Sequence, residues 1–380
     1  MKPARVVMFL TVVILLMGVV LGTSCGGQGP TGLAGVGIES IVDNHNGTFT
    51  LTMTDNSTYT TDNLIGPAGP QGATGATGAK GDKGDQGIQG PPGLGYSPMQ
   101  IALLRWYEAI ETGASFSVGV GPCGIAFDGA DIWVGNYSIG NVMKLDSKGN
   151  IMATYTVGSH PYGIAYDGAN IWVANQLDNT VTKINAATGL KNTYPVGNVP
   201  TGIAFDGANI WVTNNGDGTV TELRPSDGLE LGSYPVGSDP IGIAFDGVNI
   251  WVTNNGDDTV TELNSNGTTV GTYDVGASPW GIAFDGANMW VANFAENTVT
   301  KLNSNGTKVG TYNVGNNPEW PAFDGVNIWV TNNGDDTVTK LNSNGTPVGT
   351  YLVGTAPCYI AFDGSNIWVT NWTDHTVTKL

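Results

Sequence analysis

The chain has 380 residues, with 32 Asp and Glu against 14 Lys and Arg and a formal net charge of −18. So acidic a balance excludes nucleic acid and anionic membrane surfaces as partners of the folded part. The length admits more than one unit, and composition divides it into an apolar leader, a Gly-rich polar stretch and a repeat array.

Residues 1–24 read as a signal peptide. Lys2 and Arg5 precede an apolar run from Val6 to Leu21, and the small residues Gly22, Thr23 and Ser24 follow. Cys25 comes next, and the spacing resembles a bacterial lipobox, in which the cysteine is lipidated and becomes the mature N-terminus. Gly22 stands where that pattern has Leu. The expectation is an exported protein, held by lipid on the outer face of a cell membrane. Export also places Cys123 and Cys358 in an oxidising compartment that favours pairing.

Residues 25–65 begin with a short Gly-X-Y stretch and continue as a small β-hairpin module. Period-two runs between Ile38 and Thr61 are split by Asp43–Gly47 and by Asp55-Asn56, which is turn chemistry. About 25 residues of hairpin cannot bury a core alone, so this module needs partners. Its tandem use beside Gly-X-Y sequence resembles small β-modules of bacterial collagen-like surface proteins.

Residues 66–95 carry an unbroken Gly-X-Y frame from Gly66 to Gly93. Glycine at every third position is what three polyproline-like chains need where they meet at a crowded axis. The segment therefore predicts a collagen-like triple helix and a homotrimer, a rod of roughly 80–90 Å. Residues 96–113 follow as a helical neck, with Leu103, Trp106, Tyr107 and Ile110 on one apolar face.

Residues 114–380 are a repeat array. Trp133, Trp172, Trp211, Trp251, Trp290, Trp329 and Trp368 recur at gaps of 39, 39, 40, 39, 39 and 39 residues. A period near 40 with several strand-like runs per copy signals a propeller or a solenoid. The third copy offers four strands, at 201–205, 209–213, 220–223 and 229–236, which is one propeller blade. The last copy stops after its third strand, Thr376–Leu380, and the matching fourth strand, Ala114–Gly119, precedes the first copy. That permutation predicts a closed ring of seven blades without exposed edges, an all-β fold.

The phrases Pro-x-Gly-Ile-Ala-Phe-Asp-Gly and Ile-Trp-Val-Thr-Asn resemble the Tyr-Val-Thr-Asn family of seven-bladed propellers, with Trp for Tyr. That resemblance covers 114–380 and implies surface or periplasmic proteins with binding functions. A weaker similarity runs to virginiamycin B lyase, whose type uses a histidine and acidic residues around a divalent metal; propeller hydrolases of the gluconolactonase type ring a metal with carboxylates.

The seven tryptophans read as packing between blades, and the aspartates before each Gly, such as Asp206, as turn formers. Loops such as Asn215-Gly-Asp-Gly-Thr look calcium-like but lack the spaced carboxylates and distal Glu of a calcium loop. No catalytic residue, metal or cofactor is assigned. Cys123 and Cys358 hold equivalent positions in blades one and seven, neighbours only in a closed ring, and a disulfide between them is expected.

Copies diverge at two positions predicted to share one face: after the proline that opens each innermost strand, and after the Trp-Val-x-Asn asparagine. Aromatics gather there as Tyr137, Tyr162, Trp280, Phe294 and Trp372, with Trp320 and Tyr359 replacing a glycine beside them. With His160 and Glu319 they form the candidate binding face for an extracellular protein or carbohydrate. The leading expectation is a surface-anchored, trimeric, non-enzymatic binder. The alternative is a propeller lyase or hydrolase that uses His160 and Glu319.

Overall fold

The structure, a computed structural model, describes three short strands in the N-terminal part and residues 113–380. The signal peptide, Cys25, the Gly-X-Y run and the helical neck lie outside the described residues. The short strands Ile38–Asp43, Phe49–Met53 and Thr58–Thr60 pair in order as an antiparallel sheet. They belong to a unit, Met1–Ile88, separate from the repeat array and described by itself.

The array is a seven-bladed β-propeller of four-stranded antiparallel blades. Blade 3 is typical: Pro200–Phe205 innermost, then Ile210–Asn214, Thr219–Leu223 and Glu230–Pro235 outermost. The second strand starts one residue later than the sequence suggests. The Asn209 N–H donates to the Asp206 side chain at 2.6 Å and so belongs to the turn. Blade 7 takes its outer strand from the far end of the array. Ala114–Ser117 pairs antiparallel with Thr376–Lys379, which leaves no blade short of a strand.

The tryptophan, threonine and asparagine of the Trp-Val-Thr-Asn phrase have separate tasks. The indole of one blade packs into the next: Trp133 lies with Ile164, Ile171 and Val173 of blade 2, and Trp368 with Ile125, Ile132 and Val134 of blade 1. A buried indole must satisfy its N–H. In all seven blades Nε1 donates to the turn aspartate five residues earlier, at 2.7–2.8 Å. The same carboxylate accepts the backbone N–H groups of its own turn, as Asp206 does from Ala208 and Asn209. These aspartates therefore form the turn and cap the indole together.

The threonine ties neighbouring blades. Thr213, Thr253, Thr331 and Thr370 donate to the carbonyls of Ile241, Trp280, Cys358 and Cys123 on the next innermost strand, at 2.6–2.9 Å. The last of these crosses the closing interface. The asparagine is buried and grips the connection from the preceding blade: Asn214 accepts the Gly197 N–H at 3.1 Å and donates to Thr219 and Thr221.

The outer layer repeats as well. A tyrosine of the outer strand packs against the indole in six blades, as Tyr155 does on Trp133 at 5.4 Å, and Phe116 fills that place for Trp368 at 5.6 Å. In five blades a third-strand lysine, such as Lys340, lies over the indole face, 4.5–5.5 Å from the ring centre. Lys379 also reaches across the closure to the Ser147 carbonyl of blade 1 at 2.6 Å. Blades 3 and 4 carry Glu222 and Glu262 instead. Each accepts a hydrogen bond from the outer tyrosine, Tyr234 or Tyr273, whose hydroxyls are pushed up to about 12 by burial and then by that carboxylate.

Asp206→Ala strands the buried Trp211 N–H and loosens its turn. The expected loss is about 1–3 kcal/mol, visible as a lower Tm by thermal denaturation. Glu230→Ala, on the exposed end of the outer strand, should change Tm far less. Deleting Ala114–Ser117 should lower Tm further and bring on concentration-dependent association, because it bares the Thr376–Lys379 edge.

Candidate functional site

The two divergent positions of each copy meet in space. The proline that opens each innermost strand follows a left-handed residue: His160, Val199, Asp239, Ser278, Asn317 and Ala356 have φ of 51–55°. The carbonyl of that residue accepts the N–H of the variable residue between strands two and three. The pairs are Gln176 to His160, Asn215 to Val199, Asn255 to Asp239, Phe294 to Ser278, Asn333 to Asn317 and Trp372 to Ala356. Tyr137 makes the same bond to Gly121 in blade 1. The loops are thus held by backbone, and their side chains are free to differ.

The carboxylates of the calcium-like loops are spent on this scaffold. Asp178, Asp217, Asp257, Asp335 and Asp374 accept backbone N–H groups of the neighbouring loop, from Ser159, Asn198, Ser238, Asn316 and Thr355, at 2.6–2.7 Å. Among the described residues no three His, Cys, Asp or Glu side chains are grouped to hold a metal ion.

Six of the expected aromatic and histidine residues form one connected group. Trp372 lies 5.0 Å from Tyr137, and Tyr137 lies 4.2 Å from His160 and 6.2 Å from Tyr162. Tyr162 meets Tyr359 edge-on at 5.7 Å, and Tyr359 stacks on Trp320 at 3.8 Å. Trp280 stacks on Phe294 at 5.1 Å as a second group in blade 5. Tyr137, Tyr162, Trp372, Trp280 and Phe294 are half-buried, with surface left to offer. Tyr359 is buried at 5 % exposure, and its hydroxyl has no hydrogen-bond partner.

A groove of about 400 Å³ opens between blades 1 and 2, lined by Tyr137, Ser138, Gly158, His160 and Asp178 among others. His160 presents an unpartnered, buried Nδ1 here, while the Tyr137 hydroxyl donates to Gln176 at 2.8 Å.

Beneath the connected aromatics lies a buried polar cluster that the sequence does not announce as such. Cys123 and Cys358 are free thiols with sulfurs 3.2 Å apart. Glu319 is 5 % exposed, its Oε2 has no partner, and it holds on the innermost strand of blade 6 the position that Cys358 holds on blade 7. Burial pushes the Glu319 carboxyl up to about 8, so it is a neutral acid at pH 7. Burial likewise raises Tyr162, Tyr359 and Cys123, while Cys358 is raised first by its hydrogen bond to Cys123 and then by burial. The cluster is therefore uncharged near neutrality.

Neither a protein-family model nor a curated protein matches the chain. Solved structures do share its fold. A streptogramin B lyase superposes with a TM-score of 0.63 at 21 % identity, over 70 % of this chain and 96 % of that one. Virginiamycin B lyase from Staphylococcus aureus gives 0.62 at 20 % identity, over 70 % and 97 %. Kuenenia stuttgartiensis hydrazine synthase gives 0.61 at 18 % identity, over 73 % and 99 %. At such identities the likeness is one of fold, and it places the array among seven-bladed propellers similar to virginiamycin B lyase.

A buried carboxyl with a raised pKa makes stability depend on pH. Below the unfolded value near 4.5 both states hold the proton and Glu319 exerts no pH effect. Between 4.5 and about 8 only the unfolded chain ionises, so stability falls as pH rises, and the fall levels off above 8. Glu319→Gln removes this penalty, at most about 5 kcal/mol. Melting curves should show the variant's advantage over wild type growing from pH 5 to pH 8.

Proposed function

We propose that the propeller is the binding head of an exported, surface-anchored, trimeric collagen-like protein, and that it takes a protein or glycan partner without chemistry. The observation that carries this reading is the contrast within each copy. Residues that build the blade repeat almost unchanged, whereas the side chains held by the loop scaffold differ and place Trp372, Tyr137, His160 and Tyr162 side by side. Half-buried aromatic rings beside a polar groove suit the face of a sugar ring or an apolar patch on a protein. The lipid anchor on Cys25 and the Gly-X-Y trimer supply attachment and multivalency, and three weak sites on one stalk would bind with avidity.

The likeness to lyase propellers supports a second reading, a lyase or hydrolase working through His160 and Glu319. The unpaired polar atoms of these two residues are what favours it.

The test is an array of glycans and extracellular proteins probed with the full chain, followed by titration of each hit. Trp372→Ala should weaken binding by tenfold or more, the size of effect expected for an interfacial aromatic anchor, with Tm nearly unchanged. Trp280→Ala reports on the second aromatic group. Loss of binding on Asn215→Ala or Asn255→Ala, with Trp372→Ala silent, would move the site to the opposite arc. Turnover of a bound hit that Glu319→Gln abolishes would replace binding by catalysis.

A further inference from the structure

We propose that Cys123 and Cys358 form a covalent lock across the closing interface of the ring, made by thiol–disulfide exchange in which Glu319 receives the Cys358 proton. The lock is independent of any ligand the aromatic face accepts.

The geometry supplies the pairing. The two sulfurs are 3.2 Å apart, and the cysteines are separated by 235 residues of chain. Closing to the bond length of about 2.05 Å needs a movement of little more than 1 Å. Thr370 already fixes the Cys123 carbonyl and Thr331 the Cys358 carbonyl, each at 2.8 Å, so both cysteines sit on braced backbone. Blade 1 runs on from the Ala114–Ser117 strand of blade 7, and only the pairing of that strand with Thr376–Lys379 ties the two ends of the array. A bond at that one place converts a ring held by side chains and one strand pairing into a covalent circle.

Exposure sets the order of events. Cys123 is fully buried, while Cys358 retains 6 % exposure. Both are buried, so exchange follows a local opening of the innermost strands, which bares Cys358, the less enclosed of the two, first. Glu319 holds on the innermost strand of blade 6 the position that Cys358 holds on blade 7, and it is the carboxyl that takes the thiol proton. The Cys358 Sγ–H proton moves to the Glu319 carboxylate, so the site carries one negative charge before and after. The resulting thiolate attacks one sulfur of a small-molecule disulfide, glutathione disulfide being the probe. A mixed disulfide forms, and the departing glutathione thiolate takes the proton from Glu319. The Cys123 sulfur, deprotonated in its turn, attacks the Cys358 sulfur and releases the second glutathione. In sum, two protein thiols and one glutathione disulfide give one protein disulfide and two glutathione thiols, with two electrons passing to the oxidant.

The groups facing Glu319 are Cys123, Cys358, Tyr162 and Tyr359, and burial keeps both tyrosines protonated. Exchange needs Glu319 ionised, so its rate rises as pH passes through about 8.

The full chain is reduced, incubated with glutathione disulfide, then digested without reductant for peptide mass mapping. The Cys123 and Cys358 peptides should appear joined, and Tm should rise by on the order of 5–10 °C and fall back with dithiothreitol. Cys123→Ser should trap one glutathione on Cys358, whereas Cys358→Ser should leave Cys123 unmodified under the same conditions. Glu319→Gln should slow oxidation at pH 8–9 several-fold while its reduced form melts no lower than wild type. Recovery of both cysteines as free thiols, or each joined to glutathione, overturns the lock. Oxidation of Glu319→Gln at the wild-type rate overturns the role given to the carboxyl.

Discussion

The molecule depends on a buried indole whose N–H is answered by a carboxylate. Tryptophan is the largest apolar surface a blade can send into its neighbour, yet its nitrogen would be stranded there without a partner. The aspartate five residues earlier resolves this because a tight hairpin turn already holds it close to the second strand. One carboxylate thus fixes a turn and makes it possible to bury the ring. Everything further out is built on that ring: the stacked tyrosine, the lysine above it, and the lysine's reach to a carbonyl of the next blade.

The same economy explains where the copies are free to vary. The loops of the candidate face are tied by backbone N–H to carbonyl bonds and by aspartates accepting backbone N–H groups, none of which reads the identity of the variable side chain. Tyr137, Asn215 and Trp372 therefore stand on the same backbone ties although their side chains make different contacts. Divergence at such positions leaves the loop backbone in place, so it is open to shaping by a ligand.

Much of the fold is legible in the sequence for one reason: the interactions that define it recur seven times at a fixed period. The tryptophan spacing gives the blade count, and the displaced strand at Ala114 is intelligible only as closure. The Trp–Asp bond escapes a sequence reading because a turn role already accounts for an Asp before Gly. Its signal is the constant separation of five residues in every copy. The threonine tie leaves a fainter trace, since blades with Gly135, Ala174 or Ala292 at that position lack it. The site is less legible. Proximity of Cys123 to Cys358 follows from blade arithmetic, but the burial of Glu319 beside them does not. Position alone would put Glu319 with the variable, ligand-facing residues, and only packing from the neighbouring blades decides that it lies beneath them.

That packing originates in two broken glycines. At the third position of the innermost strand five blades have glycine, and a Cβ there would strike the next blade's backbone, as at Gly202 against the Ile241 carbonyl. Blades 6 and 7 carry Trp320 and Tyr359 instead, so the ring cannot keep the same close approach on both sides of blade 7. The two rings stack on one another and pack against the cluster that contains Cys123 and Cys358. A carboxyl, two thiols and a phenol are thereby enclosed, and among the described residues no group answers the Glu319 Oε2 or the Tyr359 hydroxyl. The departure from sevenfold symmetry, the unpaired polar atoms and the closing interface all fall on the same arc of the propeller. The two ends of the array meet in blade 7, where Thr376–Lys379 pairs with Ala114–Ser117, and the repeat is abandoned on the innermost strands of that blade and of the one before it.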